Sequence, residues 1–315
     1  MLFQIEDQLG GPDYDSEHIM DRKKKRLLDF AEKKLEESPL SEEEQPSRKK
    51  LAEMDEKGIV IFINGLRLWE RRKDQRLGIF SEADVAKSKD AKELRDYWRT
   101  DKNSFGRAAD IAKGFEDRLG TRASYYTSGS SGWRSQASPG RGKKRKREKT
   151  RHVEGMEKAK LFHKKVQAGE IKLPLGEPIH IVSHSHGGAH AAGFAKQLST
   201  YKGEDGQPLY NIEKSYYITP HQPTDILHPK GIPSAQYSHP SDSVSSNSPW
   251  YLPNGGSEFG RIPGVDEFDG RDITGVEGAP KAEGPLGNRG GHNVYDNDYI
   301  FGLKPWEEGY VGRRY

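Results

Sequence analysis

The sequence predicts an α/β fold, a mostly parallel sheet flanked by helices, and three observations carry that prediction. Ile59-Val60-Ile61-Phe62-Ile63 is a continuous apolar run of strand length, as a strand buried on both faces requires. Strand-like and helix-like stretches then alternate in the order β-α-β-α-β-α-β-β, which is the signature of crossover connections in a parallel sheet. Between Pro178 and His190, a β-branched run stops at Ser183 and passes through a Ser-x-Ser-x-Gly turn into a helical pattern of small residues.

Taken in order, residues 1–56 are highly charged, with Leu27, Leu28, Ala31 and Leu35 at helical spacing. Pro39 and Pro46 interrupt the pattern, so these residues predict a polar helical arm ahead of a domain over 57–315. The first strand ends in Asn64-Gly65-Leu66-Arg67, and two helical stretches follow. The second carries Phe105, Ala108, Ile111, Ala112, Phe115 and Leu119 on one stripe, with Gly120 as its C-cap. Arg122–Thr127 reads as the next strand, joined to the first by a right-handed crossover. Ser128-Gly129-Ser130-Ser131-Gly132 reads as flexible, and a cationic run over 141–147 reads as part of a loop that reaches residue 151. A helix over 152–168 follows, bearing Val153, Met156, Phe162 and Val166. Then come a strand over 178–183, a helix from Gly187 to about Thr200, a strand over 214–219 and a weaker one over 234–238. Beyond residue 243, Pro, Gly, Asn and Ser dominate, which predicts a long irregular C-terminal region of functional loops.

Composition limits the function classes. Of 315 residues, 32% are hydrophobic and 31% charged, so much of the chain lies outside one moderate core. The net charge of +3 gives no global field that argues for nucleic acid. With no cysteine there is no disulfide framework, thiol nucleophile or thiolate ligand. The first residues do not form a signal peptide, and no 18-residue apolar run is available to span a membrane. The expectation is a protein cytoplasmic in its producer and, if exported, exported without a classical leader.

The stretch His180-Ile181-Val182-Ser183-His184-Ser185-His186-Gly187-Gly188 carries the chemistry. A strand, a sharp turn and a helix around Ser185 describe a nucleophile elbow, with Ser183 where the first glycine of Gly-x-Ser-x-Gly would stand. Small residues two before and two after the nucleophile keep side chains from colliding across the turn, and Ser183 and Gly187 meet that need. The rival reading is a metal site built from His184, His186 and His190, with His180 upstream. Against it, no carboxylate lies between His180 and His190.

A serine nucleophile needs a histidine base, and the histidine needs a carboxylate to fix its tautomer. In the order Ser, acid, His, the sequence offers Asp242 just past a short strand and His292 in a glycine-rich late turn. Asp225 and Asp266 compete for the acid role, and His239 and His228 for the base.

Asn64-Gly65-Leu66, His184-Ser185-His186-Gly187-Gly188-Ala189, Asp242-Ser243-Val244 and Gly291-His292-Asn293-Val294-Tyr295 together resemble the class 3 lipases, the fungal type of α/β-hydrolase. The resemblance covers about residues 58–300 through short islands. It departs at Ser183 for glycine and at His186 for the usual leucine or glutamine, and no apolar lid helix is evident. It implies an α/β-hydrolase-like fold that hydrolyses lipid acyl esters, with Ser185 as nucleophile, His292 as base and Asp242 as its orienting acid. It also implies an oxyanion hole from the backbone N–H groups of Leu66 and His186, and no cofactor or metal.

The architecture resembles antibacterial lipase effectors as well, which implies a cognate immunity protein as partner. The 141–151 run would then face anionic membrane lipid. Two other classes remain open at this point: a metal-dependent hydrolase using His184, His186 and His190, and a non-catalytic nucleic-acid or interaction module built on the 141–151 run.

Overall fold

The computed structural model describes residues 57–65, 78–101, 108–130, 144–239, 242, 260–271 and 292–312. The expected N-terminal arm, Leu66 and the loops over 243–259 and 272–291 lie outside the described residues. No helix among those described is long and apolar enough to cross a membrane.

The domain is α/β, built on a mostly parallel sheet. In chain order its elements begin with β1 (Ile59–Ile63), β2 (Ile79–Ser81), α1 (Glu82–Val85), α2 (Lys89–Asp96), β3 (Arg99–Thr100), β4 (Ala109–Asp110), α3 (Ile111–Leu119) and β5 (Ala123–Thr127). They continue with α4 (Lys144–Gln167), β6 (Pro178–His184), α5 (Gly187–Leu198), β7 (Asn211–Ile218), a 3-10 turn (Pro223–Asp225), β8 (Ser234–Tyr237), β9 (Glu267–Asp269) and a 3-10 helix (Val294–Gly302). Seven strands form one sheet in the order β2-β5-β1-β6-β7-β8-β9. β2 runs antiparallel to β5, and the other neighbours pair in parallel.

β1 shows why the sheet is covered on both sides. Successive strand side chains point to opposite faces. Ile59, Ile61 and Ile63 join a core with Ala159 and Phe162 of α4 and the small residues of α5. Val60 and Phe62 join a second core with Trp98, with Ile111 and Phe115 of α3, and with Val294 and Ile300 of the 3-10 helix. The α4–α5 contact is close because it is built on glycine. A Cβ at Gly155 would strike the main chain of His190, and one at Gly193 would strike that of His152.

Several sequence expectations are corrected. α4 begins at Lys144, eight residues ahead of the expected start, so the end of the cationic run is helix and not loop. Lys, Arg and Glu are good helix formers, and the buried Glu148 and Arg151 attach this stretch to the domain. Of the 105–119 stripe, Phe105 lies outside the described residues, and the described part is helical from Ile111. Ala109 and Asp110 pair with β3, and Asp110 caps the helix by accepting from the Lys113 N–H at 2.8 Å. Gly120 does close α3 in the left-handed conformation, at φ 61°. Ser128, Gly129 and Ser130 are not a flexible tether: all three are buried. The C-terminal region contributes the edge strand β9 and a long 3-10 helix.

Parallel pairing places the carboxyl ends of β1, β5, β6, β7 and β8 at one edge of the sheet, with β6 at its centre. The turns after these strands meet there, the usual place for a site in such sheets.

Candidate active site

Ser185 follows β6 directly, and its backbone is held at φ 52°, in the left-handed region that a non-glycine residue seldom enters. Main-chain bonds pin this conformation. The Ser185 N–H donates to Ile218 O at 3.1 Å, and its carbonyl accepts from the N–H groups of Gly188 at 3.1 Å and His221 at 3.0 Å. Strain held by its surroundings in this way is typical of functional turns. Close packing explains the small flanking residues. A Cβ at Gly187 would lie 2.6 Å from Asn64 O. Ser183 is tolerated in place of glycine because its side chain is buried and donates to Tyr216 O at 3.1 Å.

The structure brings Ser185, Asp242 and His292 together. His292 Nε2 lies 2.9 Å from Ser185 Oγ, and His292 Nδ1 lies 2.8 Å from Asp242 Oδ2. Asp242 is fully buried, in a turn closed by its own N–H to His239 O at 3.0 Å. His292 precedes the 3-10 helix, whose N-cap is Asn293. A carboxylate only accepts, so Nδ1 carries the hydrogen of the neutral ring, leaving Nε2 free to accept from the serine hydroxyl.

The competing residues are engaged elsewhere. Asp266 accepts from the N–H and hydroxyl of Ser234, at 2.8 and 3.0 Å. Asp225 ends the 3-10 turn after β7. His228 contacts Tyr217 Oη at 2.7 Å and Ile232 O at 2.8 Å. His239 lies between Arg271 O at 3.0 Å and Asn297 Oδ1 at 2.8 Å, linking the Asp242 turn to the 3-10 helix.

Nor do the elbow histidines converge. His184 contacts Tyr97 and the main chain of His292, His186 contacts Arg151, and the buried His190 has Nδ1 3.3 Å from Lys158 Nζ. His180 lies back along β6, its ring 6.4 Å from that of Tyr216. Among the described residues, no group of three His, Asp or Glu side chains could hold a metal ion.

Of the two expected oxyanion donors, Leu66 lies outside the described residues. His186 is the N-cap of α5, and its N–H makes no main-chain hydrogen bond among them. Among the described residues, two more polar atoms beside the elbow are buried with no hydrogen-bond partner, Asn64 Nδ2 and His186 Nδ1. Arg151 can only donate, so its contact with His186 Nε2 at 3.4 Å places the His186 hydrogen on Nδ1. Both orphans are therefore donors beside the nucleophile.

Sequence reasoning missed four residues. Tyr97, at the C-terminal end of α2, reaches His184. Glu148, Arg151 and His221 form a largely buried cluster against His186. Arg151 pairs with Glu148, and His221 Nδ1 lies 3.3 Å from both Glu148 Oε1 and an Arg151 nitrogen. The one available signal was Glu148, the single carboxylate within the 141–151 run.

Compared with protein-family models, curated proteins and solved structures, the chain matches none.

Proposed function

We propose that the protein is a serine ester hydrolase of the α/β-hydrolase type, working through an acyl-enzyme. The observation that carries this reading is the continuous chain Asp242–His292–Ser185, with both contacts under 3.0 Å and the serine on a strained strand-to-helix turn. Ser185 Oγ attacks the ester carbonyl carbon while His292 Nε2 takes its proton. The His186 N–H, at the start of α5, stabilises the negative charge that forms on the carbonyl oxygen. His292 then returns the proton to the departing alkoxide oxygen as the carbon–oxygen bond breaks. Water repeats the sequence to release the acid. Asp242 holds the tautomer and offsets the charge of the transient imidazolium.

The substrate class in this proposal is a lipid acyl ester, of the lipase or phospholipase kind, supported by the four islands shared with class 3 lipases. The role in an antibacterial effector, opposed by an immunity protein and directed to anionic membranes by the basic stretch entering α4, is the biological form of the same proposal.

The test is labelling with a fluorophosphonate together with hydrolysis of acyl esters of graded chain length. Ser185→Ala should lose both, the hydrolysis by on the order of 10⁵-fold or more. Labelling that persists in Ser185→Ala would overturn the assignment. A preference for short water-soluble esters over long-chain and phospholipid substrates would remove the lipid part alone.

A further inference from the structure

Ser185 and His292 stand more than one hundred residues apart in the chain, so their contact depends on what holds the main chain of His292. Asp242 fixes one edge of the imidazole, but a ring also moves with its backbone. The described residues contain a tie to that backbone. His184, the last residue of β6 and the neighbour of the serine, has Nε2 2.7 Å from the main-chain oxygen of His292. Its Nδ1 meets the Tyr97 hydroxyl.

The hydrogens of this chain have one arrangement. A carbonyl oxygen only accepts, so His184 Nε2 carries the hydrogen. Nδ1 of a neutral ring is then a bare acceptor, and the Tyr97 hydroxyl donates to it. Burial, and then the nearness of His292, push the His184 pKa down to about 3, so the ring is neutral wherever a histidine base could operate. The same pair shapes the turn after β1. A Cβ at Gly65 would strike the Tyr97 hydroxyl and lie 3.1 Å from both His184 Nδ1 and Ser185 Cβ.

Resting on the serine-hydrolase reading, we propose that Tyr97 and His184 are positioning residues: the tyrosine holds the ring of His184 by donating to its bare Nδ1, and His184 clamps the backbone of the catalytic histidine to the strand that bears the nucleophile. Neither side chain is assigned contact with the substrate or the reacting atoms. Their effect is on geometry, where a displacement of about 1 Å costs on the order of 10²-fold in rate.

The experiment compares His184→Ala, His184→Gln, Tyr97→Phe and the Tyr97→Phe/His184→Ala pair, using p-nitrophenyl acyl esters. Rates are normalised to active sites titrated with a fluorophosphonate, so misfolded protein does not count. His184→Ala should lower kcat by on the order of 10²-fold and leave KM within about twofold. His184→Gln, whose amide N–H can reach the same carbonyl, should recover most of that loss. Tyr97→Phe should cost less than His184→Ala, and nothing further when His184 is already alanine. An unchanged kcat in His184→Ala would overturn the proposal, as would a glutamine no better than alanine or a Tyr97 effect that persists in the pair.

The tautomer provides a readout that needs no turnover. In ¹⁵N spectra near neutral pH, His184 should appear protonated at Nε2 alone, and in Tyr97→Phe the hydrogen should stay on Nε2 while the Nδ1 signal shifts with the loss of its hydrogen-bond donor. A His184 protonated at Nδ1 overturns the clamp whether or not the protein hydrolyses esters. The expected tautomer in a wild-type protein that neither labels nor turns over would sink the hydrolase reading and leave the hydrogen-bond chain standing.

Discussion

His184 and His186 flank Ser185, both are buried, and in both burial is the largest cause of a depressed pKa. They are attached to different parts of the molecule. From His184 the bonds lead to Tyr97 and to the main chain of His292. From His186 they lead away from the proposed chemistry, to Arg151 on α4 and through it to Glu148 and His221. Equal burial therefore does not mean an equal role. One side of the nucleophile is tied to the base, where small displacements change rate. The other is tied to a buried ion pair between helix and elbow, where a lost partner changes stability. Substitutions on the two sides should separate along that line.

The largest effect belongs to the base side. Asp242→Asn keeps the shape of a fully buried side chain, but its amide can present a donor where His292 Nδ1 needs an acceptor. The wrong tautomer of His292 then faces Ser185. The expected loss is on the order of 10⁴-fold in kcat, with the titrated folded fraction retained. A loss below about tenfold would mean that another carboxylate serves the histidine, and the comparison would fail at its first step.

Next comes the His186 side. Arg151→Met leaves the Glu148 carboxylate buried without its cation, which should cost about 3–5 kcal/mol in denaturant unfolding. Replacing both, Glu148→Gln with Arg151→Met, should recover much of that loss, because an uncompensated charge costs more than a missing pair. The kcat per titrated site should move far less than in Asp242→Asn. A large fall in kcat at unchanged stability would assign the ion pair to the reaction and erase the difference between the two sides.

This asymmetry also marks what the sequence could reveal. Pro178–His184 and Ile59–Ile63 were legible because central parallel strands are continuous apolar runs, and the elbow because its turn admits only small residues at fixed spacing. Asp242 and His292 were legible as candidates through chain order alone, since the sequence around them carries no periodicity. Tyr97 was not legible, because nothing local distinguishes it from the other half-buried aromatic residues of a helix end. Glu148 and Arg151 were hidden in a run that reads as solvated charge. Their i, i+3 spacing gains meaning only once α4 is known to begin at Lys144. The short strands β2 and β9 have three residues each, too few for a period-2 pattern to emerge.

Acid should bring the two histidines back together. Each has a folded-state pKa below that of a free imidazole, His184 at about 3 and His186 well below the usual value. In the unfolded chain both titrate near the ordinary value, about 6.5. Above that value neither state binds the proton, and the stability that depends on a neutral ring is fully present. As pH falls below it, the unfolded chain takes up the proton while the folded protein does not, so stability is lost progressively down to the folded-state pKa. Between about pH 7.5 and about pH 5.5 His184 should contribute roughly 1.4 kcal/mol of destabilisation, and His186 should add a loss of the same sign. Urea unfolding at the two pH values measures this, and His184→Gln and His186→Gln should each reduce the loss. Burial is the largest cause of this term in both residues, so it should discriminate little between residues that the kinetic experiments separate. If only one of the glutamine variants reduced the acid loss, the two environments would differ in hydration as well as in attachment. The kinetic contrast could then no longer be ascribed to the bonds alone.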